Sequence, residues 1–293
     1  MTKKPIVNVE RGAMVGAKEV RRRQSRTVQI GRTEDGLNRR KNDLVWNGAA
    51  DDPACTPPES LMKIACYLYP GFTSLDLIAP ITVWQFVPGV QFEFIAAKKG
   101  PVDTDTGLAM SATHTYADAS SAPDVVFVPG GATPTYEALS DQALLDSIAK
   151  SSTHAKWVSS VCTGSLLLGA AGLLQGYRAA SHWFARDLLS EFGAMPDDAR
   201  VVIDRNRATG GGVTAGMDFA LHMAGQWGGE PAGKLIELIV EYAPQPPFKT
   251  GRPELADAET LATARQVIEP LMPAALAQQA GARLKHRRAA HPA

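Results

Sequence analysis

Cys162 stands in Ser160-Val161-Cys162-Thr163-Gly164-Ser165, directly after the apolar run Trp157–Val161 and just before a glycine-led helix. A side chain there leaves the sheet at the carboxyl tip of a strand, where open α/β sheets place their ligands. It also faces a helix N-terminus, whose partial positive charge favours thiolate over thiol. Burial in the core is the commonest fate of a lone cysteine. Strand–Cys–Thr–Gly–helix is not a core pattern, however, and the geometry favours a nucleophile.

Asp76 lies between Leu75 and Leu77, near the start of an amphipathic helix that follows the first strand. Two readings stand: a helix-start acid that complements the dipole, or a carboxyl group beside the thiol. In the second, apolar neighbours keep it partly protonated, so that it gives and takes a proton. Gly130-Gly131 ends another buried strand. Its backbone N–H groups, with that of Thr163, are expected to form an anion-stabilising hole, although loop glycines are also ordinary. His182, about twenty residues past the cysteine, is a further pocket candidate, and the sequence does not say whether it reaches the thiol. Thr209-Gly210-Gly211-Gly212-Val213-Thr214 is a glycine loop entering a helix, but it has neither the Lys-Ser/Thr pair of a phosphate loop nor dinucleotide spacing. Asp218, one turn further on, reads as a dipole partner. Cys66 reads as core and Cys55 as an incidental linker residue. The six histidines are dispersed and no metal site is expected.

The elements that must position these residues alternate from Met62 onward. Strands are expected at 63–69, 91–97, 124–129 and 156–161, with short late ones at 201–204 and 208–210. Helices are expected at 74–86, 141–150, 164–174, 214–228 and 230–242, and a last one at 257–285 is broken or bent at Pro270 and Pro273. This alternation predicts an α/β fold, a mostly parallel sheet sandwiched by helices, with the nucleophile turn after a central strand. The expected organisation is a basic, disordered tail over 1–60, an α/β domain over 61–250 and a helical extension over 251–293.

Charge supports that division. The chain of 293 residues is neutral overall, yet its first 50 residues carry twelve Lys/Arg against five Asp/Glu, a net of +7 that leaves −7 for the rest. No aromatic residues interleave with the basic clusters at 21–23 and 39–41, so a nucleic-acid partner is not expected. The basic end of the last helix, Arg283–Arg288, reads as a solvated terminus. Neither a membrane-length apolar run nor a secretory signal is present, and a cytoplasmic location is expected.

In combination, these motifs resemble the DJ-1/PfpI superfamily, which belongs with the class I glutamine-amidotransferase-like, flavodoxin-like folds. Within it, Leu75–Pro80, Ser160–Leu166, Leu168–Leu174, Thr209–Leu221 and Glu241–Phe248 are most similar to isocyanide (isonitrile) hydratases. The likeness spans about Met62 to Phe248. It implies that Cys162 attacks the isocyanide carbon, that Asp76 supplies and recovers the proton, and that Thr163 helps hold the site. It implies no cofactor, a small isocyanide as substrate and a homodimer. Thr163 stands where peptidase-like relatives carry His, and Asp76 where Glu is common. Other readings are a glyoxalase-like or amide-hydrolysing enzyme, or a non-catalytic sensor built on an oxidisable Cys162.

Overall fold

A computed structural model describes residues 61–290. The expected tail, with its basic clusters and Cys55, lies outside the described residues.

Three short runs make the sheet's centre: β1 (Met62–Tyr67), β6 (Val125–Val128) and β7 (Trp157–Val161). Nearly every side chain in them is buried, as strands covered on both faces require. Together with β2 (Val90–Ala96), β5 (His114–Thr115), β10 (Val201–Asp204) and β11 (Arg207–Gly210) they form one seven-stranded sheet, ordered β10-β11-β7-β6-β1-β2-β5. All neighbours are parallel except β10 and β11, an antiparallel pair at one edge. From β1 the chain proceeds to β2 on one side, and from β6 to β7 on the other. A crevice therefore opens between the loops that leave β1 and β6.

The covering helices follow the expected order. α1 (Ser74–Trp84) packs on α5 (Ala215–Ile239). Their joint is Trp84, whose indole N–H donates to the Ala220 carbonyl at 3.0 Å and whose ring meets Phe127 edge-on at 5.2 Å. α5 is broken at Gly229, where φ is 80°, at the boundary expected between two helices. α3 (Gln142–Ser152) starts where the Asp141 side chain accepts from the Leu144 N–H. α4 (Gly164–Ala170) is shorter than expected, and Gly172, with φ 81°, turns the chain out of it. The last helix is broken rather than bent, into α6 (Ala258–Ile268) and α7 (Ala274–Ala290), because Pro270 and Pro273 leave only a tight 3₁₀ turn between them.

Several elements were not legible in the sequence. They are the antiparallel hairpin β3 (Gly100–Asp103) with β4 (Ala109–Ala112), the helix α2 (Ala132–Ala138), and the small pair β8 (Arg178–Ala179) with β9 (Met195–Pro196). The basic end of α7 is largely exposed, as expected, with Arg283, Lys285, His286 and Arg288 facing solvent. In α7, Ala277, Ala280, Gly281 and Leu284 form a buried stripe, and the arginines also reach back to the ends of other helices. Arg283 donates to the Leu139 carbonyl at 3.1 Å, Arg287 to Ala170 at 3.3 Å and Arg288 to Gly172 at 3.2 Å. These cations complete helix termini whose carbonyls lack internal donors.

Candidate active site

Asp76, Gly130 and Cys162 lie beyond the carboxyl ends of β1, β6 and β7, three adjacent strands of the sheet. Cys162 adopts φ 55°, a left-handed conformation that costs a non-glycine residue about 1–2 kcal/mol. Its surroundings enforce it. The Cys162 N–H donates to the carbonyls of Gly210 and Gly211 at 3.1 and 2.8 Å. Its own carbonyl accepts from the hydroxyls of Ser165 and Ser181, both at 3.1 Å. Gly164 lets α4 start at once, since a Cβ there would sit 2.3 Å from the Val128 carbonyl oxygen.

Asp76 is fully buried. It does not serve the end of its own helix: the acid that does is Asp105, whose Oδ1 accepts from the Ser74 N–H at 2.9 Å. Asp76 Oδ2 instead accepts from the Gly130 N–H at 3.0 Å, across 54 residues of chain. The Cys162 thiol lies near enough to this carboxyl to influence its titration, while Oδ1 has no hydrogen-bond partner. Gly130 separates the two reactive groups at close quarters. A Cβ there would meet Asp76 Oδ2 and Cys162 Cβ, each at 2.8 Å.

Burial pushes the Asp76 carboxyl up to about 7, the thiol's donation and the Gly130 N–H hold it lower, and the Asp105 charge adds to the rise. Burial also pushes the Cys162 thiol well above its usual range. The Asp76 charge adds to this, and the backbone N–H groups of Val213 and Thr163 oppose it. The thiolate bias expected from the helix terminus is thus outweighed in the resting pocket. Near neutral pH the pair holds one proton on sulfur beside a partly ionised carboxyl group.

The expected anion hole is rearranged. The Gly130 N–H is committed to Asp76, and the Gly131 N–H donates to Thr163 Oγ1 at 3.0 Å. The donors that face sulfur are the N–H groups of Thr163 and Val213. Val213 was not singled out in the sequence; its only signal is its place in the glycine loop Gly210–Thr214. The Thr163 hydroxyl binds the Gly131 carbonyl at 2.8 Å and Thr135 Oγ1 at 2.8 Å. Thr135 in turn meets the Tyr69 hydroxyl at 2.8 Å, and Tyr69 donates to the Pro129 carbonyl at 3.0 Å. This buried chain fixes the loops after β6 and β7 to each other. Thr135 and Tyr69 were also missed.

His182 makes no hydrogen bond with the thiol. Its Nδ1 accepts from the Phe184 N–H at 3.3 Å, and burial lowers its pKa to about 4, so the ring is neutral. It packs against Gly212 and lines a cavity of about 230 Å³ with Ser181, Arg200 and Arg252. Among the described residues no group of three His, Cys, Asp or Glu gathers to hold a metal. No helix described is long and apolar enough to cross a membrane.

A profile of the DJ-1/PfpI family matches residues 62–226. The chain belongs to the DJ-1/PfpI family. Isonitrile hydratase of Pseudomonas putida is 44% identical over 209 residues, which span 71% of this chain and 91% of that one. The crystal structure of a THiJ/PfpI family protein from Pseudomonas syringae superimposes with a TM-score of 0.73 at 40% identity, covering 76% of this chain and 91% of its own. Schizosaccharomyces pombe DJ-1 shares the fold alone, with a TM-score of 0.54, 20% identity, and coverage of 62% of this chain and 100% of that one. The sheet with helices on both faces is therefore the DJ-1/PfpI arrangement, as the resemblance implied.

Proposed function

We propose that this DJ-1/PfpI protein hydrates isocyanides to N-substituted formamides, with Cys162 as nucleophile and Asp76 as proton carrier. The observation that carries the reading is the buried pair itself: a thiol that keeps its proton beside a carboxyl near pH 7, with no imidazole bound to it. An isocyanide accepts both a sulfur and a proton on one carbon, and such a pair holds both. Asp76 takes the thiol proton as sulfur bonds to the terminal carbon and delivers it to that carbon, giving the thioimidate R–N=CH–S. It then takes a proton from water as the oxygen adds, and nitrogen is protonated. Collapse of the C–S bond releases R–NH–CHO and returns the proton to sulfur. The N–H groups of Thr163 and Val213 stabilise charge on sulfur during attack and departure. Thr163 holds Gly131 and α2 in place, and no cofactor is required. The identity to isonitrile hydratase over most of both chains supports this choice of substrate.

The test is incubation of purified protein with an alkyl isocyanide, following the formamide by NMR. Turnover is expected for the wild type and none above background for Cys162→Ala. The rate with limiting substrate should climb with pH through about 7 as the carboxyl becomes able to take the thiol proton. Failure to form formamide sinks the substrate assignment. Turnover that survives Cys162→Ala sinks the mechanism, and consumption of a dicarbonyl instead points to glyoxalase-like chemistry.

A further inference from the structure

The β3–β4 hairpin stands apart from the seven-stranded sheet, and the proposed mechanism gives it nothing to do. Its turn nevertheless grips the loop that delivers Asp76. The Gly71 N–H donates to the Asp103 carbonyl at 2.8 Å, and the Asp105 N–H donates to the Phe72 carbonyl at 3.0 Å. Asp105 Oδ1 accepts from the Ser74 N–H at 2.9 Å, and the Thr106 hydroxyl donates to Ser74 Oγ at 3.2 Å. The turn itself is well fixed. Thr104 is buried, its N–H donates to the Leu108 carbonyl at 2.9 Å, and its hydroxyl meets that of Thr106 at 3.1 Å.

Gly130 holds the same loop from its other side. Its carbonyl accepts from the Thr73 N–H at 2.8 Å, and its N–H donates to Asp76 Oδ2 at 3.0 Å. Partners alternate along the chain: the hairpin at Gly71 and Phe72, Gly130 at Thr73, the hairpin at Ser74, Gly130 at Asp76. The first turn of α1 is thus clamped between two loops. A free N–H at a helix start is ordinarily met by the cap residue's own side chain. Thr73, at that position, makes no such bond, and Asp105 supplies it from 31 residues away.

We infer that Asp105 is a positioning residue for the proton carrier: it closes the clamp on α1 and so fixes where the Asp76 carboxyl stands between Gly130 and Cys162. Its charge acts on the same group. Ser74, which Asp105 binds, and Asp76 are separated by about 3 Å along a helix axis, so the two carboxyl groups share one helical turn. The titratable side chains that face Asp76 are Cys162, Tyr69 and Asp105. Asp105 is the exposed one among them, and its negative charge makes Asp76 keep its proton to higher pH.

The consequence for rate rests on the isocyanide reading above, whereas the consequence for Asp76 does not. Asp105→Asn keeps an acceptor for the Ser74 N–H and removes the charge. With limiting alkyl isocyanide its pH profile should shift down by about half a unit, the effect of one charge across several ångströms of wet protein. Below the midpoint it should therefore outrun the wild type by up to roughly threefold, with kcat at high pH within about twofold. Asp105→Ala opens the clamp as well, and kcat should fall roughly tenfold while KM moves less than about twofold. Titration of the Asp76 carboxyl by carbon NMR should show the same downward shift in Asp105→Asn without any substrate. An unmoved midpoint in Asp105→Asn overturns the inference, as does wild-type kcat in Asp105→Ala. If Asp105→Ala does not fold, Asp105→Asn still decides, because a merely structural acid would leave the midpoint in place. If the wild type makes no formamide and the NMR midpoint still shifts, the hydratase reading has failed and the clamp stands. If formamide forms and the midpoint is unmoved, only the role of Asp105 has failed.

Discussion

Asp76 and His182 sit at the same end of the sheet, the first fully buried and the second half-buried, and burial drives each toward its uncharged form. The carboxyl is pushed up to about 7 and the imidazole down to about 4. Their surroundings then part ways. The His182 ring is at rest: one nitrogen accepts a backbone N–H and the ring packs on Gly212. Asp76 is left unfinished, with one oxygen dry and a protonated thiol against it. The lesson is that a shifted pKa alone does not mark a reactive group. What marks Asp76 is a shift into the working pH range, an unmet oxygen and a nucleophile within reach.

The largest expected effect sets the two residues directly against each other. Asp76→Asn should lower isocyanide turnover by about a thousandfold or more, whereas His182→Asn should change it by less than about threefold. Equal losses in a side-by-side assay would erase the distinction. Next in size is crowding of the two sites. Gly130→Ala drives a methyl into the Thr163 amide, Asp76 and Cys162, and should cost about 2–4 kcal/mol in urea unfolding. Gly212→Ala presses only on the edge of the His182 ring, which has room to turn, and should cost about 1–2 kcal/mol.

The pH dependence of stability sharpens the contrast, because the two groups slope in opposite directions. Asp76 has a folded pKa above its ordinary 3.8, so the unfolded chain releases that proton first, and stability falls as pH rises from about 4 to 7. His182 has a folded pKa below its ordinary 6.5, so the unfolded chain takes the proton first, and stability falls as pH drops from about 6.5 to 4. Melting curves across this range should flatten on the rising-pH side in Asp76→Asn and on the falling-pH side in His182→Asn, each by on the order of 2 kcal/mol. The smallest effect is at the brace behind the pair. Thr163→Val strands the Gly131 N–H and carbonyl for about 1–2 kcal/mol, and Thr163→Ser should recover most of it.

The central strands and the nucleophile turn were legible because their signals are local: a short, mostly apolar run, then Cys-Thr-Gly. The nearness of Asp76 to Cys162 was one of two readings left open by the residues, and the resemblance favoured it, since nothing between residues 76 and 162 announces it. α2 was invisible for a related reason. Ala132–Ala138 holds two threonines and a proline, a poor helix by propensity, and the Thr135–Thr163 bond ties it to a residue 28 positions away. The anion hole was misassigned because glycine says that backbone comes close but not which N–H is already engaged. The arginines of α7 are largely exposed as read, but charge patterning does not show whose carbonyls they meet.

The order of the strands has a consequence for what descent can alter. Acid, spacer and thiol are each delivered by a different crossover, and their shared backbone is the part that tolerates no added atom, as Gly130 and Gly164 show. Side chains on the rest of those crossovers carry no such restriction. A lineage can therefore exchange the furniture around the sulfur one loop at a time while inheriting the proton pair intact. Relatives with very different substrates are what such a division of labour would leave behind.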